Sequence, residues 1–466
     1  MGEVRWSVRL LAAMAALGLV AAGCGRGSEQ ESGPDRTSAT TAGDRSGGDA
    51  SFGTLRDVCG PGNPSGSPAQ GVTPTEIRIA TFSDAGASFR PGLNQEMFDA
   101  AEVFAAWCND LGGIGGRRIV VHQRDAALFN VKPEMAKACA EDFMMVGGGA
   151  VFDADGVRDR LSCLLPDIAG FVVNPEARGA DLVVQPVPNA LETISIGDLI
   201  WLKERFPRSL ARVAVLGGDL PATKLVADQN REAAESVGAK IVYDDRYPAA
   251  GAASWVPYAQ AIKSAGAKGL IWVGEPENLS KFLRALANAG YELDWVRADP
   301  NHYDRKLIDL DPEVARNVFI RSVYFPFEQA DRNPATAKYL ELFERYKPGG
   351  KARAYLGLQA MSAWLLFAQA AKACGNDLTR RCVYEQAAAV DDWTGGGLHA
   401  RQNPKAGEAS ECFMIIEATP RGFRTPDVRP NEGIFRCEPA AVYRLRGDYP
   451  KGVKLADVGR SLDDLR

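Results

Sequence analysis

Apolar and polar positions follow a regular rhythm along this chain. From residue 75, short apolar runs predict strands, and segments with apolar residues three and four apart predict helices between them. Strands are expected at "EIRIATF" (76–82), "RRIVVHQ" (117–123), "FMMVG" (143–147), "DIAGFVV" (167–173) and "DLVVQP" (181–186). Helices are expected at about 93–111, 133–142 and 155–165. The rhythm then restarts. A helix at about 189–206 leads to "RVAVLGG" (212–218), one at 222–237 to "KIVYDD" (240–245), and one at about 254–265 to "GLIWVG" (269–274). A further helix at 276–289 leads to "DWVRAD" (294–299). Apolar strands separated by amphipathic helices predict parallel sheets covered on both faces. Two such runs predict an α/β fold of two doubly wound parallel-sheet lobes joined by a hinge.

The last third predicts a strand at "NVFIRSVYFPF" (317–327), helices at about 334–346, 352–373 and 379–390, and a closing hairpin from "ECFMIIEATPRGFRTP" and "GIFRCEPA". The chain is expected to cross between lobes near 187, 325 and 400. Lobe one is then 73–187 plus 326–400, lobe two is 188–325 plus 401–446, and 447–466 is a loose polar tail. The apolar segment "YLGLQAMSAWLLFAQAA" (355–371) carries Gln359, Ser362 and Gln369 within it, which fits a buried core helix better than a membrane span.

One stretch, "NDLGGIGGRRIVV" (109–121), has the glycines of a phosphate cradle but the wrong order of elements. A cradle runs strand, loop, helix, because the anion needs the free N–H groups of a helix start. Here the helix comes first, so the glycines are expected to cap it and turn the chain into a strand. "VGGGA" (146–150) has the right order but neither the full dinucleotide fingerprint nor the lysine of an ATP loop.

Charge and composition narrow the function classes. The 466 residues carry a net charge of −5 and no long basic run, which leaves no electrostatic footprint for nucleic acid. The three histidines, His122, His302 and His399, sit in no metal-ligand spacing and no catalytic motif, so no metal, cofactor or catalytic residue is expected.

The N-terminus adds a location. Arg5 and Arg9 precede "LLAAMAALGLVAA", too short to span a bilayer but suited to an export signal. It ends in "VAAGC", which resembles a bacterial lipoprotein signal (1–23) with Cys24 as the lipidated first residue, although Ala21 departs from the larger aliphatic residue usual there. Residues 24–56 are rich in Gly, Ser, Thr and Asp and read as a disordered tether, placing the body outside the cytoplasm on a lipid anchor. Of nine cysteines, the eight beyond Cys24 are even in number, which suggests four disulfides in an exported chain. Proximity along the chain suggests Cys139–Cys163, Cys374–Cys382 and Cys412–Cys437, leaving Cys59–Cys108, but many other pairings are open.

"GVTPTEIRIATFSDAG" (71–86), followed by "AAWCNDLGGIGGRRIVVHQRD" (105–125), resembles the periplasmic binding proteins of the leucine/isoleucine/valine type, the substrate-binding proteins of ABC importers. "ANAGY" (287–291) and the spacing of Cys139 and Cys163 fit the resemblance, which extends over roughly 71–445. It implies a two-lobed, type I binding protein that closes on a small solute and docks, as a monomer, on a membrane permease, with no catalysis of its own. In that family the loop after the third strand is rich in Ser and Thr and helps to hold a ligand carboxylate. Here that loop is "GGGAVFDADG" (147–156), without a hydroxyl and with Asp153 and Asp155, so ordinary amino-acid recognition is in doubt.

Ligands of such sheets lie beyond the carboxyl ends of the strands. By position, the candidate contacts are Ser83, Asp84, Phe89, Phe152, Asp153, Asn174, Asp219, Glu275, Asp299, Asn301 and Tyr303. Carboxylates facing a cleft favour a ligand with amines, amides or hydroxyls. The competing roles are helix caps for Asp153, Asp219 and Glu275 and core packing for the phenylalanines. Arg90 is expected at the surface. The expected function is capture of a small polar, amino-acid or amide-like solute for an ABC importer. The alternatives are a sensor of the same fold, signalling to a membrane partner, and an extracytoplasmic hydrolase.

Overall fold

The computed structural model describes residues 49–466. The expected signal, Cys24 and the tether up to residue 48 lie outside the described residues.

Two sheets organise the chain. In the first, β1 (Glu76–Ser83), β2 (Arg118–Asp125), β3 (Met144–Val146), β4 (Asp167–Ile168) and β5 (Val183–Val184) run parallel in the order β2-β1-β3-β4-β5. A short β6 (Thr193–Ser195) follows. The second sheet holds β7 (Val213–Gly218), β8 (Ile241–Tyr247), β9 (Gly269–Val273), β10 (Trp295–Ala298) and β11 (Val318–Ser322) in parallel. It is extended antiparallel by β12 (Cys412–Thr419) and β13 (Gly422–Arg424), giving the order β13-β12-β11-β10-β9-β7-β8. β14 (Arg436–Cys437) pairs with β12, and β15 (Val442–Arg444) pairs with β6. The two sheets are the two lobes of the α/β fold expected from the sequence. β7 and β9 are buried at every position, as parallel strands covered on both faces must be.

The glycine run is a turn. The helix Gln95–Asp110 ends there, and Gly112 and Gly113 take φ of 101° and 82°. The Gly113 N–H donates to the Cys108 carbonyl at 2.8 Å, closing the last helical turn. A side chain on Gly113 would stand 2.1 Å from the Arg117 carbonyl oxygen, so no other residue fits. The apolar segment at 355–371 is the helix Tyr355–Cys374, buried along most of its length, with Trp364 stacked on Phe104 at 5.3 Å. Among the described residues no helix is long and apolar enough to cross a membrane.

Four disulfides join Cys59 to Cys108, Cys139 to Cys163, Cys374 to Cys382 and Cys412 to Cys437, the pairs that proximity suggested.

Three expectations need correction. The helix expected at 189–206 begins only at Gly197, because residues 193–195 are drawn into a pairing with β15, about 250 residues further along. The strands expected at 167–173 and 181–186 shrink to two residues each, since the chain leaves the sheet to line a cleft. Neither the tether's end nor the tail is loose. Phe52 is fully buried beside Trp107, and the Thr54 N–H donates to the Gly396 carbonyl at 2.8 Å. In the tail, Val453, Leu455 and Leu465 are buried against Val157, Leu161 and Leu182. A few apolar residues in a polar stretch suffice to dock it.

Candidate functional site: a cleft between the two sheets

Parallel strands end where helices begin, so each sheet offers a rim of loops and N–H groups at its carboxyl edge. Residues following β1, β3, β4 and β5 on one side, and β7, β9 and β10 on the other, line one cavity of about 290 Å³. A larger hollow of about 610 Å³, lined by Gly60, Arg117 and Lys372, lies at the amino end of β2, the wrong edge for a site between the sheets.

Charges tie the two rims together across the cleft. Arg90, in the loop after β1, reaches Glu275, which follows β9, at 2.6 Å. Its other nitrogens donate to Glu277 at 3.1 and 3.0 Å. Burial pushes the Glu275 carboxyl up, and the Arg90 guanidinium opposes that shift. Lys351, just before the helix Tyr355–Cys374, bridges Glu96 of the first helix at 2.8 Å and Asp304, beyond β10, at 2.9 Å. Arg178 donates to the Gln229 side-chain oxygen at 3.1 Å, again from one rim to the other. On the second side of the cleft, Arg297 of β10 holds Asp198, on the helix Gly197–Arg205, at 2.7 Å and Asp299 at 3.0 Å.

Of the residues expected from sequence, the structure brings Glu275, Asp299 and Asn301 to the cavity wall. The others sit elsewhere. Ser83 donates to the Asn94 carbonyl at 2.9 Å beneath the rim. Asp84 is buried and accepts from the N–H groups of Leu128 at 2.8 Å and Val151 at 2.7 Å, so it staples three loops. Asp153 accepts from the N–H groups of Val173 at 2.7 Å and Asn174 at 3.1 Å, and from the Asn174 side chain at 2.6 Å. It stands at the N-cap position of the helix Ala154–Ser162 without a side-chain cap bond, and burial pushes its carboxyl up to about 6. Phe89 is half exposed, and Phe152 stacks on Phe129 at 5.6 Å. Asp219 is exposed. Tyr303 is buried, bonded to Glu328, and accepts from the Phe327 N–H at 2.8 Å. Position after a strand was a correct signal for the rim but not for the direction of the side chain.

Sequence reasoning missed Arg178, Gln229, Asn230, Arg321 and Lys351, which line the cavity. Their signal was a polar residue within an apolar element, as Arg321 stands in "VFIRS". Arg90, expected at the surface, is largely buried. A serine–histidine pair does exist: Ser362 Oγ and His399 Nε2 are 2.9 Å apart, but both are buried outside the cavity lining, with Trp393 donating to the same hydroxyl.

Comparison with known proteins gives the geometry a context. Residues 201–422 match a family model described as periplasmic binding protein. No curated protein matches the sequence. Among solved structures, the chain is similar to a fatty acid ABC transporter substrate-binding protein from Thermomonospora curvata, at 14% identity and a TM-score of 0.64 over 78% of this chain and 96% of that one. It is also similar to a branched chain amino acid ABC transporter from Thermus thermophilus with bound valine, at 15% identity and a TM-score of 0.63 over 75% and 96%. A possible leucine/isoleucine/valine-binding protein from Rhodopirellula baltica aligns at 12% identity and 0.63 over 78% and 99%. At these identities the likeness is one of fold.

Proposed function

The chain has the two-lobed type I fold of the periplasmic binding proteins and matches their family model over residues 201–422, and from that premise we propose that it is a solute-binding protein of an ABC importer. It captures a small molecule between the lobes and delivers it to a membrane permease. The observation that supports this reading most is the cavity lined from both strand-end rims and spanned by Arg90–Glu275 and Lys351–Asp304. A solute that touches both rims is fully bound only when the lobes approach, so binding shifts the population toward closure. Closure then presents a surface a permease can recognise.

The reading takes 1–23 as an export signal and Cys24 as the lipid-anchor site, and holds the body outside the cytoplasm as a monomer. The lobes are bounded near 187, 325 and 400, and the chain itself does no catalysis. The amino-acid or amide-like solute expected from the strand-end acids rests on Glu275 and Asp299, both of which already face a guanidinium. A sensor of the same fold would close in the same way and differ only in its membrane partner.

A thermal-shift screen of amino acids, amides, polyamines, sugars and organic acids tests the proposal. One class raises the melting temperature in a concentration-dependent way, by an amount that corresponds to about 2.7 kcal/mol at a hundredfold excess over Kd. Failure of every class overturns it.

A further inference from the structure

Resting on the cleft as the solute site, we infer that the solute is an organic acid without an ammonium group, its carboxylate held by Arg321 and its other oxygens by the amide donors around Arg178. The first argument is the sign of the charge left over. Each carboxylate on the cavity wall has a cation: Glu96 and Asp304 share Lys351 at 2.8 and 2.9 Å, Glu275 has Arg90 at 2.6 Å, and Asp299 has Arg297 at 3.0 Å. Two guanidiniums on the same wall, those of Arg178 and Arg321, have no carboxylate within ion-pair distance among the described residues. Arg178 has neutral partners only, in Asn189, Ala190 and Gln229. Among the described residues Arg321 has no side-chain hydrogen-bond or ion-pair partner, and its buried Nε is unmatched.

The second argument is the kind of hydrogen-bonding atom left over. Asn94 Nδ2, Arg178 Nε, Gln229 Nε2 and Asn230 Nδ2 are all buried without an acceptor, on side chains that line the cavity and are no more than 7% exposed. Among the described residues the one oxygen of that wall in this condition is the Ser195 hydroxyl, which can itself donate; no carboxylate or amide oxygen is. Leaving a buried donor unpaired is costly, so the absent partner is one that supplies acceptors. A carboxylate supplies both the charge and the oxygens, and guanidinium binds it with matched geometry. An ammonium group would find every wall carboxylate occupied. Phe171, Val172, Val187, Ile194, Val273 and Leu356 form apolar wall for the rest of the molecule.

Isothermal titration of the full chain with short-chain, hydroxy-, keto- and dicarboxylic acids, each beside its amide, amine and 2-amino-acid counterpart, tests the inference. We expect at least one acid to bind tenfold or more tightly than its three counterparts. Arg321→Gln lowers that affinity at least tenfold while leaving the unliganded melting temperature within a few degrees, and Arg321→Lys recovers part of it. An amine or amino acid that binds more tightly than the matching acid overturns the inference, as does an Arg321→Gln protein of unchanged affinity or the absence of binding by every acid. In those cases solute capture survives if another class still binds; if nothing binds, that reading falls as well.

Discussion

Arg90 shows what a single side chain contributes here. It lies in lobe one and reaches Glu277, 187 positions along the chain, as well as Glu275. Nothing near Arg90 in sequence marks it as a latch, because its partners are fixed only once both lobes have folded. Glu275 and Asp299 could be placed on the rim from strand ends alone, whereas Asp84 and Asp153 turned inward to bind backbone N–H groups, which element order does not reveal. Arg90→Ala leaves two carboxylates facing each other, Glu275 without its ion-pair partner and Glu277 with only Lys306, at 3.3 Å. They are partly solvated, so the expected cost is about 1–2 kcal/mol, below that of a fully buried pair. It should fall on the closed form, weakening solute affinity about tenfold with little change in unliganded melting temperature. A double-mutant cycle with Glu275→Gln, read by titration, isolates the pair; additive effects contradict a direct latch.

At the scale of elements, the C-terminal segment is the main departure from what the periodicity predicts. The N–H of Gly447 and the hydroxyl of Tyr449 donate to Glu232 of the second lobe at 3.1 and 2.7 Å. A few residues on, the N–H of Val453 donates to the Glu176 carbonyl at 3.1 Å, and the N–H of Leu455 donates to Asp181 at 2.8 Å, both in the first lobe. The tail is therefore a strap from one lobe to the other. Gly452 passes so close to Gly179 that a side chain would meet its carbonyl carbon at 1.9 Å. Gly452→Ala should lift the strap. Truncation after residue 446 removes three buried apolar side chains and should lower stability by at least about 2 kcal/mol in denaturant titration. A truncated chain of unchanged stability would show the strap to be a passive contact. Long helices and fully apolar strands, such as Pro334–Tyr346 and β9, were legible because burial writes its period into the sequence. β6 and the strap were not, since distant partners decide them.

For the molecule as a whole, two sheets face one cavity, and each of the four disulfides joins segments of one lobe. Cys59–Cys108, Cys139–Cys163 and Cys374–Cys382 lie with the first sheet and its helices, and Cys412–Cys437 lies in the second. A covalent bridge across the cleft would prevent hinge motion, and this pattern is compatible with the closure proposed above. Reduction should therefore lower the melting temperature without abolishing solute-dependent closure. Arg90 reaches Glu275 and Lys351 reaches Asp304 from one lobe to the other, and under the proposed function these contacts belong to the closed form. Small-angle X-ray scattering of the protein, free and saturated with the solute its screen identifies, tests the claim most directly. The account predicts that the saturated protein matches this structure and that the free protein has a larger radius of gyration. Identical profiles in the two states would contradict it.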